Sequence, residues 1–422
     1  MMWKGPGIGE DAKNLALIGA AALVGIAGTA SMLDDRSDHR HVRVVRTEVV
    51  RPHIAAPAAP ILRFEMSEAL TGSNRLYGTV RTQDGDSYTG FLRWDRNEGS
   101  WADLLDATKF EEGQARSQSG IRFGNVAQIQ AVGREMAILT LRSGRQVGMA
   151  SRSSDLGSQL RSLTVSGATG EVELEWRDLR TVDFEAAPSS VQPYESRLHG
   201  TMTTRSGLQF TGYITWDVDE VYTTDHLDGD YRGEDYEIPF GAIHEIERRS
   251  SQAATVKLNS GQEIVLSGSN DVNRQNRGIS VSDPLLGEIK VDWRNFDNVT
   301  FHPPAEEVSL DAFPSETDLR GTVVTRSGET FGGRIQWDRD EASTWEMLNG
   351  RIGDAEAQIE FSRIAEIEKA PPGVRVRLKD GRTFDLYGSN DVDRDNRGVV
   401  IEAGSDRQVI SWRDFETLRL ER

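Results

Sequence analysis

The stretch RLHGTMTTRSGLQFTGYITWDVDE, residues 197–220, decides the fold because the chain writes it three times. The other copies are RLYGTVRTQDGDSYTGFLRWDRNE at 75–98 and DLRGTVVTRSGETFGGRIQWDRDE at 318–341. Gly78, Gly200 and Gly321 are equivalent, spaced 122 and 121 residues apart, so three long repeats are expected. In each copy apolar and polar residues alternate on both sides of an Asp-Gly or Ser-Gly pair. That is the pattern of a β-hairpin whose turn glycine takes positive φ.

A shorter pattern, aliphatic-x-aromatic-x-x-apolar-x-x-aliphatic, occurs six times: IRFGNVAQI from Ile121, LEWRDLRTV from Leu174, IPFGAIHEI from Ile238, VDWRNFDNV from Val291, IEFSRIAEI from Ile359 and ISWRDFETL from Ile410. Each long repeat therefore divides into two halves. The first apolar pair at i, i+2 marks a strand face, and the apolar residue three positions on marks a single helical turn before another strand. Phe123, Trp176, Phe240, Trp293, Phe361 and Trp412 hold the aromatic place and are expected to close the core of each half. Both halves open alike, with turn glycines at 85, 207 and 328 in the first and 144, 261 and 381 in the second.

Strand, tight turn, strand, loop, strand, helical turn and closing strand is an order that resembles tandem SH3-like or Sm-like small β-barrels. The resemblance covers the chain from about residue 70 and implies an all-β protein of three ~120-residue repeats, each a pair of such barrels. Three β-sandwiches are the alternative fold. The signature of RNA-binding Sm proteins is missing, and a shared fold does not transfer function. The chain divides as 1–33, an apolar segment expected as an export signal or anchor helix; 34–65, an extended basic and Pro/Ala linker; and repeats at 66–185, 186–303 and 304–422.

The formal charge of −18 gives a field that repels phosphate backbones, so nucleic acid is not an expected partner and basic partners fit better. The absence of cysteine removes disulfides, thiolate nucleophiles and cysteine metal sites. LALIGAAALVGIAGTA, Leu15–Ala30, reads as a signal peptide or, extended to Leu33, as a 19-residue membrane span. The expected location is the periplasm or cell envelope, exported or membrane-anchored. Arg36, Arg40, Arg43, Arg46 and Arg51 keep a cytoplasm-facing anchor as the alternative.

Two further motifs are candidates for binding. LSGSNDVNRQNRGISV, 266–281, and LYGSNDVDRDNRGVVI, 386–401, are near copies; the first repeat offers only SRSSD at 151–155. Asn270, Asp271, Arg277, Asn390, Asp391 and Arg397 are the ligand-binding candidates in these loops, with Trp94, Trp216 and Trp337 in the Trp-Asp pairs. Asp391, Asp393, Asp395 and Glu402 echo the spacing of a calcium loop, although Asn396 stands where that loop needs glycine. The competing reading is structural. The Asn and Asp side chains would form Asx-turns, the arginines would tie the loop down to a carboxylate, and each Trp would cover a barrel end.

No nucleophile elbow, phosphate-cradling glycine loop or His-pair metal motif is present. The expected function is a non-enzymatic, exported or membrane-tethered binding and assembly protein, its partner a protein or envelope polymer. The alternatives are a hydrolase of carbohydrate or peptide using carboxylates, and a calcium-stabilised adhesion or scaffold module. Acidic residues from different repeats converging on one cleft would favour the hydrolase; equivalent surface loops would favour binding.

Overall fold

A computed structural model of the protein describes residues 44–45, 74–111, 114–151 and 153–421. The segment Leu15–Ala30 lies outside the described residues, and among those described no helix is long and apolar enough to cross a membrane.

The described residues are all-β, in three antiparallel sheets. Val44–Val45, within the stretch read as a linker, forms β1, which pairs with the strand Gly170–Leu174 at the edge of the first sheet. The first segment forms β2 (Tyr77–Thr82), β3 (Ser87–Trp94), β4 (Leu104–Glu111), β5 (Gln114–Arg122), β6 (Val126–Val132), β7 (Met136–Leu141), β8 (Gln146–Ala150), β9 (Leu163–Gly167), β10 (Gly170–Leu174) and β11 (Leu179–Phe184). The second forms β12 (His199–Thr204), β13 (Gln209–Thr215), β14 (His226–Tyr231), β15 (Glu234–Pro239), β16 (Ile243–Arg248), β17 (Ala253–Leu258), β18 (Glu263–Ser267), β19 (Ile279–Asp283), β20 (Gly287–Val291) and β21 (Phe296–Phe301). The third forms β22 (Arg320–Thr325), β23 (Thr330–Gln336), β24 (Met347–Ile352), β25 (Ala355–Glu360), β26 (Ile364–Ala370), β27 (Gly373–Leu378), β28 (Thr383–Leu386), β29 (Val399–Ala403), β30 (Asp406–Ile410) and β31 (Phe415–Leu420).

The six turn glycines all carry positive φ, between 83° and 95°, which closes the hairpins where alternation places them. Of the six patterned aromatics, Phe123, Trp176, Phe240, Trp293 and Phe361 are buried. Trp412 is half-buried and stacks on Phe415 at 5.3 Å. The expected helical turn is a 3-10 turn at Phe123–Asn125, Trp176–Asp178, Phe240–Ala242 and Phe361–Arg363. At Trp293 and Trp412 it is a hydrogen-bonded turn, with Phe296 and Phe415 donating to the carbonyls of Asp292 and Ser411.

The strands do not close within each half in chain order. In the first segment the order is β10-β9-β3-β2-β11-β6-β7-β8-β4-β5. The first hairpin, β2–β3, lies between β11 and β9 of the second half, while the second hairpin, β7–β8, lies between β6 and β4 of the first. The halves have thus exchanged their later strands, and residues 104–150 are nested inside the chain turn made by the rest. The second segment repeats this order as β20-β19-β13-β12-β21-β16-β17-β18-β14-β15. Hairpin patterns define strands but not which edges meet. Two halves of like pattern bury the same apolar faces whichever partner they take.

In the third segment β24 and β25 leave their own sheet: β25 pairs with β20, so one 12-stranded sheet spans the second and third segments. The bridge Arg351↔Tyr387 links β24 to its own segment. The second and third segments accordingly share one apolar core. The first has its own, to which Tyr213, Phe313 and Trp345 are contributed by the others.

Candidate functional site

The two motifs singled out in the sequence prove to be partners. Trp94, Trp216 and Trp337 are fully buried, and each indole N–H donates to a backbone carbonyl of the loop: Asp155 at 2.8 Å, Asp271 at 3.0 Å and Asp391 at 2.9 Å. The aspartates following those tryptophans, Asp95, Asp217 and Asp338, are equally buried and receive the loop arginines. Arg161, Arg277 and Arg397 contact them at 3.1, 2.9 and 3.0 Å, and each arginine's own backbone N–H donates to the same carboxylate. Asn270 and Asn390 add amide donors to Asp217 and Asp338.

This places the candidates inside internal locks. Arg277 and Arg397 do tie a carboxylate, as the structural reading expected, but that carboxylate belongs to the Trp-Asp pair. Asp271 and Asp391 accept the N–H of Asp228 and Asn349, on the third strand of their segments, at 2.7 and 2.8 Å. Asp393 makes an Asx-turn to the N–H of Asp395, and Glu402 faces Arg334 and Arg407. Asn396 bridges the Asp391 carbonyl and the Gly398 N–H. The four calcium candidates are therefore not brought together. Among the described residues the carboxylates that converge within 4.8 Å are Asp217, Asp219 and Glu220, where Arg277 already bonds the first two.

The first segment carries the same lock, which sequence reading missed. Asp155 accepts the Asp106 N–H at 2.6 Å, and Arg161 stands six residues on. The Ser-x-Asp-x5-Arg spacing, 153–155–161, 269–271–277 and 389–391–397, was available in the sequence but hidden by the loss of the Asn. Ser153, Ser269 and Ser389 each donate to the carbonyl of the residue whose N–H the aspartate takes: Asp106, Asp228 and Asn349. Each lock thus grips both polar groups of one strand residue.

Two of those gripped residues, Asp106 and Asn349, line a cleft of about 370 Å³ where the three segments meet. Its floor is the β20–β25 seam, where Glu288 pairs with Gln358 and Lys290 with Glu356. The alternation that buries Ile289 and Val291 turns these polar side chains to the same face. A narrower cavity of about 80 Å³ continues past Asp106, Glu288 and Lys290 to Glu98, Asp103 and Asp155. Burial pushes the Asp106 carboxyl up against the help of Gln358 and Lys290, and pushes Glu288 up to about 8, with the Asp106 charge adding to it. Arg351, at the rim, is held by Glu356 at 3.2 Å and by the Asp354 carbonyl. The cleft therefore sets Asp106 and Glu288 against the single ammonium of Lys290.

The junction around the cleft is held by cations reaching between segments, Lys109, Arg122 and Arg197 buried and Arg93 half-buried. Asp103, Asp225 and Glu346 cap equivalent turns by accepting two backbone N–H groups each. Each also takes a cation from another segment: Arg197 on Asp103 at 2.9 Å, Arg93 on Asp225 at 2.9 Å, and Lys109 on Glu346. Arg122 touches all three segments: it donates to the carbonyls of Asp283 and Pro284 and lies 3.0 Å from Glu360. Arg93, Arg122 and Arg197 fall within the repeated stretches but at positions that vary between the copies, and Lys109 lies outside them, so the repeat pattern did not mark them.

No family model, curated protein or solved structure matches this chain.

Proposed function

We propose that the protein is a non-enzymatic binding and assembly protein, exported or membrane-tethered through Leu15–Ala30, whose three-segment cleft receives a basic group of a partner protein. Each segment is read as two intertwined SH3-like barrels. The runs β11-β2-β3-β9-β10 and β6-β7-β8-β4-β5 each set a closing strand beside a hairpin, which supports that reading.

The observation that carries the function is the meeting of Asp106, Glu288 and Gln358, one from each segment, around one opening. Two carboxyls raised by burial gain from any cation that restores their charged form, and the overall charge of −18 steers basic partners toward them. A hydrolase would also need two carboxyls on one opening, and this convergence is the feature that favours it. The polar residues that recur in all three segments, however, are spent on internal locks, which favours a scaffold.

The test is capture from cell-envelope material on the immobilised chain, alongside the Asp106→Asn/Glu288→Gln variant. A basic protein retained by the unaltered chain, released by salt and lost from the variant is the expected result. Identical retention by both would overturn the assignment of the cleft. Hydrolysis of envelope polysaccharide by the unaltered chain alone would replace binding with catalysis.

A further inference from the structure

A second cavity, remote in character from the polar cleft, lies in the second segment, its lining reaching Pro304 just beyond it. It measures about 330 Å³, is mostly apolar, and is lined by Leu198, Thr223, Phe240 and Phe301, with His199 and His302 among its polar groups. That volume is at the lower end of small-ligand sites, which run from about 300 Å³ upward.

The first segment shows what such a cavity accommodates. Hydrogen bonds fix the correspondence: the Gly124 N–H donates to the Trp101 carbonyl at 2.9 Å, and the Gly241 N–H donates to that of Thr223 at 2.8 Å. Thr223 therefore stands where the first segment has Trp101. The flanking ring pairs also match, Phe123 with Phe184 at 5.7 Å and Phe240 with Phe301 at 5.8 Å, both edge to face. Trp101 is 1% exposed and meets Phe184 edge-on at 6.4 Å. In the second segment Phe301, the counterpart of Phe184, faces the cavity instead of an indole.

We propose that the cavity beside the Phe240–Phe301 pair is a binding site for an indole-sized planar aromatic group, the place that the protein's own Trp101 takes in the first segment. The two Phe rings supply apolar walls and edge-to-face contacts. The imidazoles are fixed rather than loose. His199 Nδ1 lies 3.0 Å from the His302 carbonyl, His302 Nε2 lies 3.0 Å from the Thr201 hydroxyl, and the rings meet edge-on at 5.1 Å. Burial also pushes His199 down to about 4, so its ring is neutral at pH 7 and compatible with an aromatic guest. This site is independent of the cleft and of what the cleft binds.

The probes are free indole and the peptide Gly-Gly-Trp-Gly-Gly, titrated into the full chain while the side-chain resonances of His199 and His302 are followed by NMR. Saturable shifts with a Kd of about 1 mM or tighter are expected. Tighter binding of indole assigns a free small molecule. Tighter binding of the peptide assigns a tryptophan side chain of a partner. Thr223→Trp, which restores the arrangement of the first segment, is expected to raise the melting temperature and abolish both shifts. Should that variant fail to fold, a 5-bromoindole soak is expected to give an anomalous peak in the cavity lined by Leu198, Thr223, Phe240 and Phe301. No saturable shift with either probe, shifts unchanged in a folded Thr223→Trp, or a soak peak elsewhere only, would overturn the proposal.

Discussion

At the residue scale, the Trp-Asp turns show how backbone strain and side-chain locks go together. Asp95, Asp217 and Asp338 adopt φ near 45°, and the next residues, Arg96, Val218 and Arg339, adopt 60–69°. Two successive left-handed residues make the tight turn that lets Trp94, Trp216 and Trp337 bridge to Glu98, Glu220 and Glu341. An Asp takes that conformation readily, whereas a β-branched Val is strained in it. Val218→Asn is expected to stabilise the protein by about 1 kcal/mol in denaturant titration, while Arg96→Asn should change little. The glutamates that end these turns face the lock aspartates across buried ground. Burial first, then Asp271, pushes Glu220 up to about 10, and burial pushes Asp271 up to about 7; Glu98 and Glu341 are raised in the same way by burial, then Asp155 and Asp391. The folded state then holds protons that the unfolded chain releases above about pH 4.5, so stability is lost as pH rises through these values. The melting temperature is expected to fall from about pH 4.5 up to about pH 10, and Glu220→Gln should flatten that fall.

Among the elements, strands and turns were legible in the sequence and their pairing was not. The six glycine turns, the aromatic-centred turns and the three-fold spacing all follow from local alternation. The exchange of β4–β6 with β9–β11 depends on which edges meet, and two halves of like pattern leave that open. The face taken by Trp94, Trp216 and Trp337 was likewise open, because a strand-terminal residue has no alternating neighbour beyond it. The lock was half legible: Asn270 and Asn390 drew attention to two loops, while in the third SRSSD at 151–155 was seen only as a weak counterpart and Arg161 went unnoticed. The chain's lack of cysteine makes the exchange testable by cross-linking. Arg334 on β23 lies opposite Glu402 on β29. Arg334→Cys/Glu402→Cys is expected to form a disulfide on mild oxidation, since opposed strand residues bring their Cβ atoms to about 4.5–5.5 Å. Arg334→Cys/Asn349→Cys, which would join if β23 paired with the next strand in the chain, should not.

For the whole molecule, three segments that the sequence presents as beads form one body. The β20–β25 seam, the shared core of the second and third segments and the buried cations Arg122, Arg197 and Lys109 all cross segment boundaries. The cleft exists only because those contacts hold, since its walls come from three segments. Arg122 is the sharpest probe: its guanidinium is fully buried, and removing it leaves Glu360 without its counter-charge and the Pro284 carbonyl without the guanidinium donor. Breaking such a buried pair costs about 3–5 kcal/mol. Calorimetry of the full chain and of Arg122→Met tests the junction most directly. A single cooperative transition that the substitution lowers and splits is the expected result. Three separable transitions in the unaltered chain, untouched by Arg122→Met, would contradict it.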